Sequence, residues 1–325
     1  MKALVCKAYG PPESLVIEDR PDPVPGDGEV CVDIRAAGLN YPDLLVISGN
    51  YQVKSPLPFV PGGEAAGVVS AVGPGVRRFQ PGDRVITTPI LGAFAEKCAV
   101  SERLCFPMPD SLDFDQGAGF TVAYATSYHA LRQSAQLRSG ETLLVLGAAG
   151  GVGTTAVEIG KAMGARVIAA ASSGEKLAFA REVGADECIN YSETGLKETV
   201  RELTDGRGVD VVYDPVGGEL AQEAYRSLAW RGRYLVVGFA SGKIPDFPAN
   251  IALLKEASVT GVWWGTWSAR HPDDALQNLV ELVAMVERGD LEPRVTGRYP
   301  LRRFADAFAE IGGRRVRGKI VLAMD

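Results

Sequence analysis

The stretch LLVLGAAGGVGTTAVEIG, Leu143 to Gly160, constrains the fold more than any other. Leu143 to Leu146 is continuously apolar, the pattern of a parallel strand buried on both faces. Val152, Ala156, Ile159 and Met163 follow on one helical stripe. Between strand and stripe lie Gly147, Gly150, Gly151 and Gly153, where the main chain can turn tightly and a ligand can approach without meeting a Cβ. The N–H groups of a helix's first turn, aided by the helix dipole, favour an anion there. A diphosphate fits this description. A second strand, Arg166 to Ala171 (RVIAAA), comes after Gly164, which reads as a helix-ending glycine. Strand, glycines, helix and strand in that order point to a dinucleotide, with tight helix–strand packing as the competing reason for the glycines. Against the pattern G-x-G-x-x-G the segment AAGGVG departs once, with Ala148 at the first position.

The chain has 325 residues and is 46% hydrophobic, enough for two domains with their own cores. Residues 1 to about 115 read as β-rich, with short runs such as Glu29 to Arg35, Gly67 to Val72 and Asp83 to Thr87 between Pro- and Gly-rich turns. This segment is expected to form a partly closed, irregular barrel. From about residue 120 to 264 strands alternate with helices, through VDVVYD at Val209 to Asp214, RYLVVGF at Arg233 to Phe239 and VTGVWW at Val259 to Trp264. Such alternation implies a doubly wound parallel sheet. The tail, Asp273 to Asp325, carries two amphipathic helices and a final strand, KIVLA. The expected organisation is a catalytic domain of residues 1–118 and 265–325, with a nucleotide-binding domain of residues 119–264 inserted.

A net charge of −6 gives no global support for nucleic-acid or anionic-membrane binding. The dense basic run, GRRVRGK at Gly313 to Lys319, reads as a solvated chain end whose last lysine can serve a small anionic ligand. Five scattered cysteines with no C-x-x-C pair suit a reducing cytosol. MKALVCKAYG lacks the apolar core of a signal peptide, and no run reaches membrane-spanning length, so a soluble, cytoplasmic protein is expected.

AAGLNYPD (Ala36 to Asp43), VPGGEAAGVVSAVGPGV (Val60 to Val76), PGDRV (Pro81 to Val85), AAGGVG and the C-terminal GKIVL together resemble the medium-chain dehydrogenase/reductase superfamily along essentially the whole chain. Within it the similarity is to the zinc-independent, zeta-crystallin-like quinone oxidoreductases, although Glu158 stands where the family usually has Gln. The resemblance implies an α/β fold in which a GroES-like domain flanks a Rossmann domain, with the active site in the cleft. It also implies a homodimer joined through the last Rossmann strand. Zinc-dependent relatives hold catalytic zinc with Cys and His where this chain has Asn40 and Gly63, and the structural zinc's cysteine cluster is missing. The two histidines, His129 in a helical AYATSYHAL and His271 before Pro272, offer no converging ligand set. No metal is expected.

Without a metal to stabilise an alkoxide, the natural substrates are already electrophilic, quinones or activated alkenes. By resemblance Asn40, Tyr41, Tyr51 and Thr121 are candidate catalytic residues, placed near the nicotinamide or the substrate. Asn and Tyr suit donation to a developing oxyanion, and Thr suits fixing the ring. Gly150, Gly151 and Val152 are candidate diphosphate contacts. The strand Arg166 to Ala171 ends in Ser172 and Ser173, without the carboxylate that binds a ribose 2′-OH in NAD-specific sheets. The family places a lysine and a tyrosine, here Lys176 and Tyr191, on the 2′-phosphate, so NADPH is expected in preference to NADH. Phe239, Ala240 and Lys319 complete the implied cofactor contacts. The expected function is NADPH-dependent quinone reduction. The alternatives are reduction of α,β-unsaturated carbonyls or enoyl thioesters, or a non-catalytic NADPH-binding, crystallin-like or RNA-binding role.

Overall fold

The structure, a computed structural model, describes residues 1–324. An antiparallel hairpin opens the chain, β1 (Lys2–Val5) against β2 (Val16–Asp19). Next come β3 (Glu29–Leu39), helix α1 (Tyr41–Ile47), β4 (Ala65–Val72), β5 (Arg84–Thr87), β6 (Lys97–Ser101) and β7 (Cys105–Pro107). Helices α2 (Phe114–Ala118) and α3 (Thr121–His129) precede the alternating segment. That segment runs β8 (Thr142–Leu146), α4 (Gly151–Ala162), β9 (Arg166–Ala171), α5 (Gly174–Glu182), β10 (Glu187–Asn190), α6 (Leu196–Leu203), β11 (Val209–Asp214), α7 (Gly218–Arg226), β12 (Leu228–Val236), α8 (Ala249–Lys255) and β13 (Ser258–Gly261). The tail adds α9 (Trp264–Arg270), α10 (Pro272–Glu287), β14 (Val295–Pro300), α11 (Phe304–Gly312) and β15 (Lys319–Ala323).

The residues pack into two units, one of Met1–Val122 with the tail from Pro293 onward, the other Ala123–Glu292. In the first, β14, β15, β3, β4, β5 and β7 lie in that order, and β6 also pairs with β3. β15 is buried along its length, so its apolar run has no polar alternation. Leu39, Val32, Phe94, Phe308 and Leu322 are among the side chains of this unit's core.

In the second unit the order is β10-β9-β8-β11-β12-β13, all parallel. Counted from β8, this is the Rossmann order, with its switch point between β8 and β11. Every residue of β8 is buried, as its unbroken apolar run requires. Leu144, Leu146, Ile168, Val212 and Tyr234 contribute to the core of the sheet.

Three details differ from the sequence expectation. β12 starts at Leu228 and ends at Val236, because the N–H groups of Val237 and Gly238 turn to the Asp214 carbonyl. β13 ends at Gly261, opposite the end of β12, and Trp264 opens a helix instead of prolonging the strand. Residues 265–292, counted with the β-rich domain on sequence grounds, lie in the second unit. There Tyr128 donates to Glu281, and Gln133 Nε2 donates to Asn278 Oδ1 at 2.8 Å, holding α10 to the end of α3 and the segment after it.

Candidate active site

In the second unit, the chain leaves β8 through a turn closed by the Gly150 N–H on the Gly147 carbonyl at 2.9 Å. A Cβ on Gly153 would lie 2.2 Å from that carbonyl oxygen, so the first turn of α4 can press onto the loop only with glycine there. The N-cap, Gly150, has no side chain to satisfy the first-turn donors of Gly151 and Val152. Such a bare, glycine-lined helix start suits a diphosphate. Across the switch point, Asp214 at the end of β11 accepts from Val216 N (2.7 Å), Gly217 N (2.9 Å) and Tyr234 Oη (2.5 Å). Burial pushes its carboxyl up from the ordinary range. The loop it braces carries Ala240, whose N–H bonds the Pro215 carbonyl at 3.0 Å, and Phe239, whose ring lies against Gly217.

The end of β9 gathers four expected residues. Ser173 caps α5, its hydroxyl accepting from the Lys176 N–H, while Lys176 Nζ reaches Ser172 Oγ at 3.3 Å. The Tyr191 N–H bonds the Ala171 carbonyl at 3.2 Å, so the adjacent strand β10 delivers Tyr191 to the same end of the sheet. An ammonium, two hydroxyls and a phenol are donors suited to a phosphate monoester.

In the first unit the cluster is of a different kind. Glu64, fully buried, accepts at Oε1 from Lys319 Nζ (2.6 Å) and Asn40 Nδ2 (2.8 Å), and at Oε2 from Val122 N (2.9 Å). Lys319 also donates to Asn40 Oδ1 at 2.6 Å and to the Leu39 carbonyl at 3.4 Å. Its three protons thus have three acceptors within the unit, Asn40 among them. Asp43 receives the Asn40 N–H at 2.7 Å, and burial pushes its carboxyl up to about 7 despite that bond and the nearby Lys319 charge. Tyr41, half-buried, begins α1 beside Asn40, and Tyr51 follows that helix with its N–H on the Leu45 carbonyl. Thr121 is buried at the first position of α3, next to Val122. Glu64 and Asp43 were not singled out from sequence. The signal for Glu64 was a lone carboxylate opening the apolar run EAAGVV, matched by a lone lysine opening KIVLA.

Among the described residues no group of three or more His, Cys, Asp or Glu is placed to hold a metal ion. An ammonium 2.6 Å from both Asn40 Oδ1 and Glu64 Oε1 would repel a divalent cation at that point. Zinc does not fit these residues. His129 is buried and stacks on Trp267 with ring centroids 4.1 Å apart. No helix of the described residues is long and apolar enough to cross a membrane.

The family described as "Alcohol dehydrogenase GroES-like domain" matches residues 26–110, and that described as "Zinc-binding dehydrogenase" matches residues 151–284. The chain is 39% identical to a quinone oxidoreductase of Pseudomonas aeruginosa over 325 residues, covering 99% of each protein. It is 37% identical to the quinone oxidoreductase-like protein 2 homolog of Nematostella vectensis, covering 99% of this chain and 88% of that one. The crystal structure of Escherichia coli quinone oxidoreductase complexed with NADPH superposes with a TM-score of 0.93 at 30% identity, covering 99% of this chain and 100% of that one. Similarity at this level, sustained through the β-rich unit and the doubly wound sheet alike, means that the chain belongs to the quinone oxidoreductase branch of the medium-chain dehydrogenase/reductase family of oxidoreductases.

Proposed function

We propose that this protein transfers a hydride from NADPH to a quinone without a metal, acting as a homodimer. The observation that carries the cofactor reading is the end of β9, where Ser172, Ser173 and Lys176 are joined by hydrogen bonds and no carboxylate ends the strand. NADPH in the Escherichia coli relative supports the same reading. Gly151 and Val152 offer first-turn N–H groups to the diphosphate, with Gly150 shaping the turn before them. Ser172, Ser173, Lys176 and Tyr191 hold the 2′-phosphate, and Phe239 and Ala240 border the loop at the switch point.

When bound, the reduced nicotinamide supplies the hydride, and the protein contributes binding and orientation. Asn40 Nδ2 gives one hydrogen to Glu64 and keeps a second for the substrate oxygen on which negative charge develops. Tyr41 and Tyr51 are further donors for the substrate, and Thr121 positions the ring. Water completes the hydroquinone by protonation. The exposed edge of β13, with Val259 open to solvent and Trp263 open just beyond the strand, supports a partner strand there.

Steady-state NADPH oxidation with 1,4-benzoquinone and with a simple enone, before and after dialysis against a strong chelator, tests this. Faster turnover on the quinone, unchanged by chelation, is expected. Turnover confined to the enone, or lost with removed zinc, contradicts it. NADPH binding with no turnover on either favours a non-catalytic role.

A further inference from the structure

We propose that Lys319 and Glu64 are positioning residues whose charges fix which end of the Asn40 side-chain amide faces the substrate, an inference that rests on the reading of Asn40 given above. The two ends of an amide are nearly the same size, and shape alone holds one orientation poorly. Here charge does what shape cannot. The ammonium of Lys319 meets Asn40 Oδ1 at 2.6 Å, and the carboxylate of Glu64 meets Asn40 Nδ2 at 2.8 Å. Turning the amide over would set an NH2 group against an ammonium and a carbonyl oxygen against a carboxylate. Both contacts would become repulsive in a buried setting, where such terms are strong.

The pair is itself immobilised. Lys319 and Glu64 bond each other at 2.6 Å with side-chain exposures of 7% and 0%, and the Val122 N–H anchors the second carboxylate oxygen at 2.9 Å. At Gly38 a Cβ would lie 2.4 Å from Glu64 Oε1 and 2.2 Å from the Ala118 carbonyl oxygen, so the backbone leaves room for this carboxylate only because the residue is glycine. Asn40, bonded to both of these buried charges, is itself only half-buried. A buried ion pair is a weak source of stability, since apolar replacements of similar volume are often tolerated. Orientation of a donor is a function that an apolar pair could not provide. With Oδ1 occupied and one hydrogen on Glu64, the remaining Nδ2 hydrogen is the group the amide can offer.

A double-mutant cycle on hydride transfer tests this. Lys319→Met/Glu64→Gln removes both charges together and leaves neither buried alone. In single-turnover mixing of NADPH with 1,4-benzoquinone, the paired change should slow hydride transfer by about tenfold or more, with the dissociation constant for NADPH unchanged. In an Asn40→Ala background the same paired change should alter the rate by less than about twofold. Equal slowing in both backgrounds, or none in the Asn40 background, overturns the inference. Asn40→Ala with the wild-type rate removes the reading of Asn40 as well, whereas a slow Asn40→Ala beside a fast paired variant removes only the positioning role. If the paired variant does not fold, proton–nitrogen spectra of the wild-type protein decide. One Asn40 amide proton protected from solvent exchange, by its bond to Glu64, is expected, and two protons that exchange equally freely overturn the proposal.

Discussion

Replacing Asp43 by Asn should make the protein more stable at alkaline pH and leave it little changed in acid. Asp43 is 7% exposed and sits at the third position of α1, where its carboxyl is pushed from 3.8 to about 7 mainly by burial. The folded protein therefore holds this proton more tightly than the unfolded chain does. Below about pH 4 both states are protonated and the site costs nothing. As pH rises toward 7 the unfolded chain releases its proton first, and stability falls until the folded carboxyl ionises as well. The full loss is about 4 kcal/mol, at 1.36 kcal/mol for each factor of ten in acidity. Asn never ionises but accepts the Asn40 N–H less strongly than a carboxylate, which takes back about 1 kcal/mol. The variant should thus gain about 3 kcal/mol at about pH 8, or roughly 6 °C in melting temperature for a chain of this size. Melting curves of both proteins at about pH 5 and about pH 8 read this directly. A melting-temperature difference that is the same at both pH values, or a variant less stable than wild type at the higher one, refutes the reasoning.

Lys176→Ala removes the ammonium beside Ser172 and should raise the Michaelis constant for NADPH about tenfold while leaving NADH kinetics nearly unchanged; equal effects on both cofactors would count against a 2′-phosphate site. Gly153→Ala places a methyl 2.2 Å from the Gly147 carbonyl oxygen, so NADPH affinity should fall by about tenfold or more as the turn is displaced, and a variant binding as tightly as wild type would contradict that geometry. Light scattering at micromolar concentration should give the mass of a dimer, which an Asp in place of Val259 on the open edge of β13 should reduce to a monomer.

What was legible in the sequence was what burial and short spacing encode. β8, β9 and β15 read as apolar runs because both of their faces are covered. Ser172, Ser173 and Lys176 lie within five residues, and the turn into α5 brings them together. Tyr191 needed only the pairing of two neighbouring strands. The end of β13 misled, because Trp263 and Trp264 continue an apolar run past the last residue of β12 available to pair with it. The cluster around Asn40 was the hardest part to see. Lys319 meets Asn40 across 279 positions and Glu64 across 255, and no periodicity spans such distances. A basic run at a chain end reads as solvated, whereas here its last lysine turns inward because β15 is buried between β14 and β3.

The preference between the two reduced cofactors depends on the donors at the end of β9 and on nothing in the choice of substrate. Titration of the wild-type protein with NADPH and with NADH, followed by nicotinamide fluorescence, gives both dissociation constants without turnover. NADPH should bind at least about tenfold more tightly, the value expected for a charge-assisted grip on the 2′-phosphate. Equal affinities, or tighter binding of NADH, would contradict it.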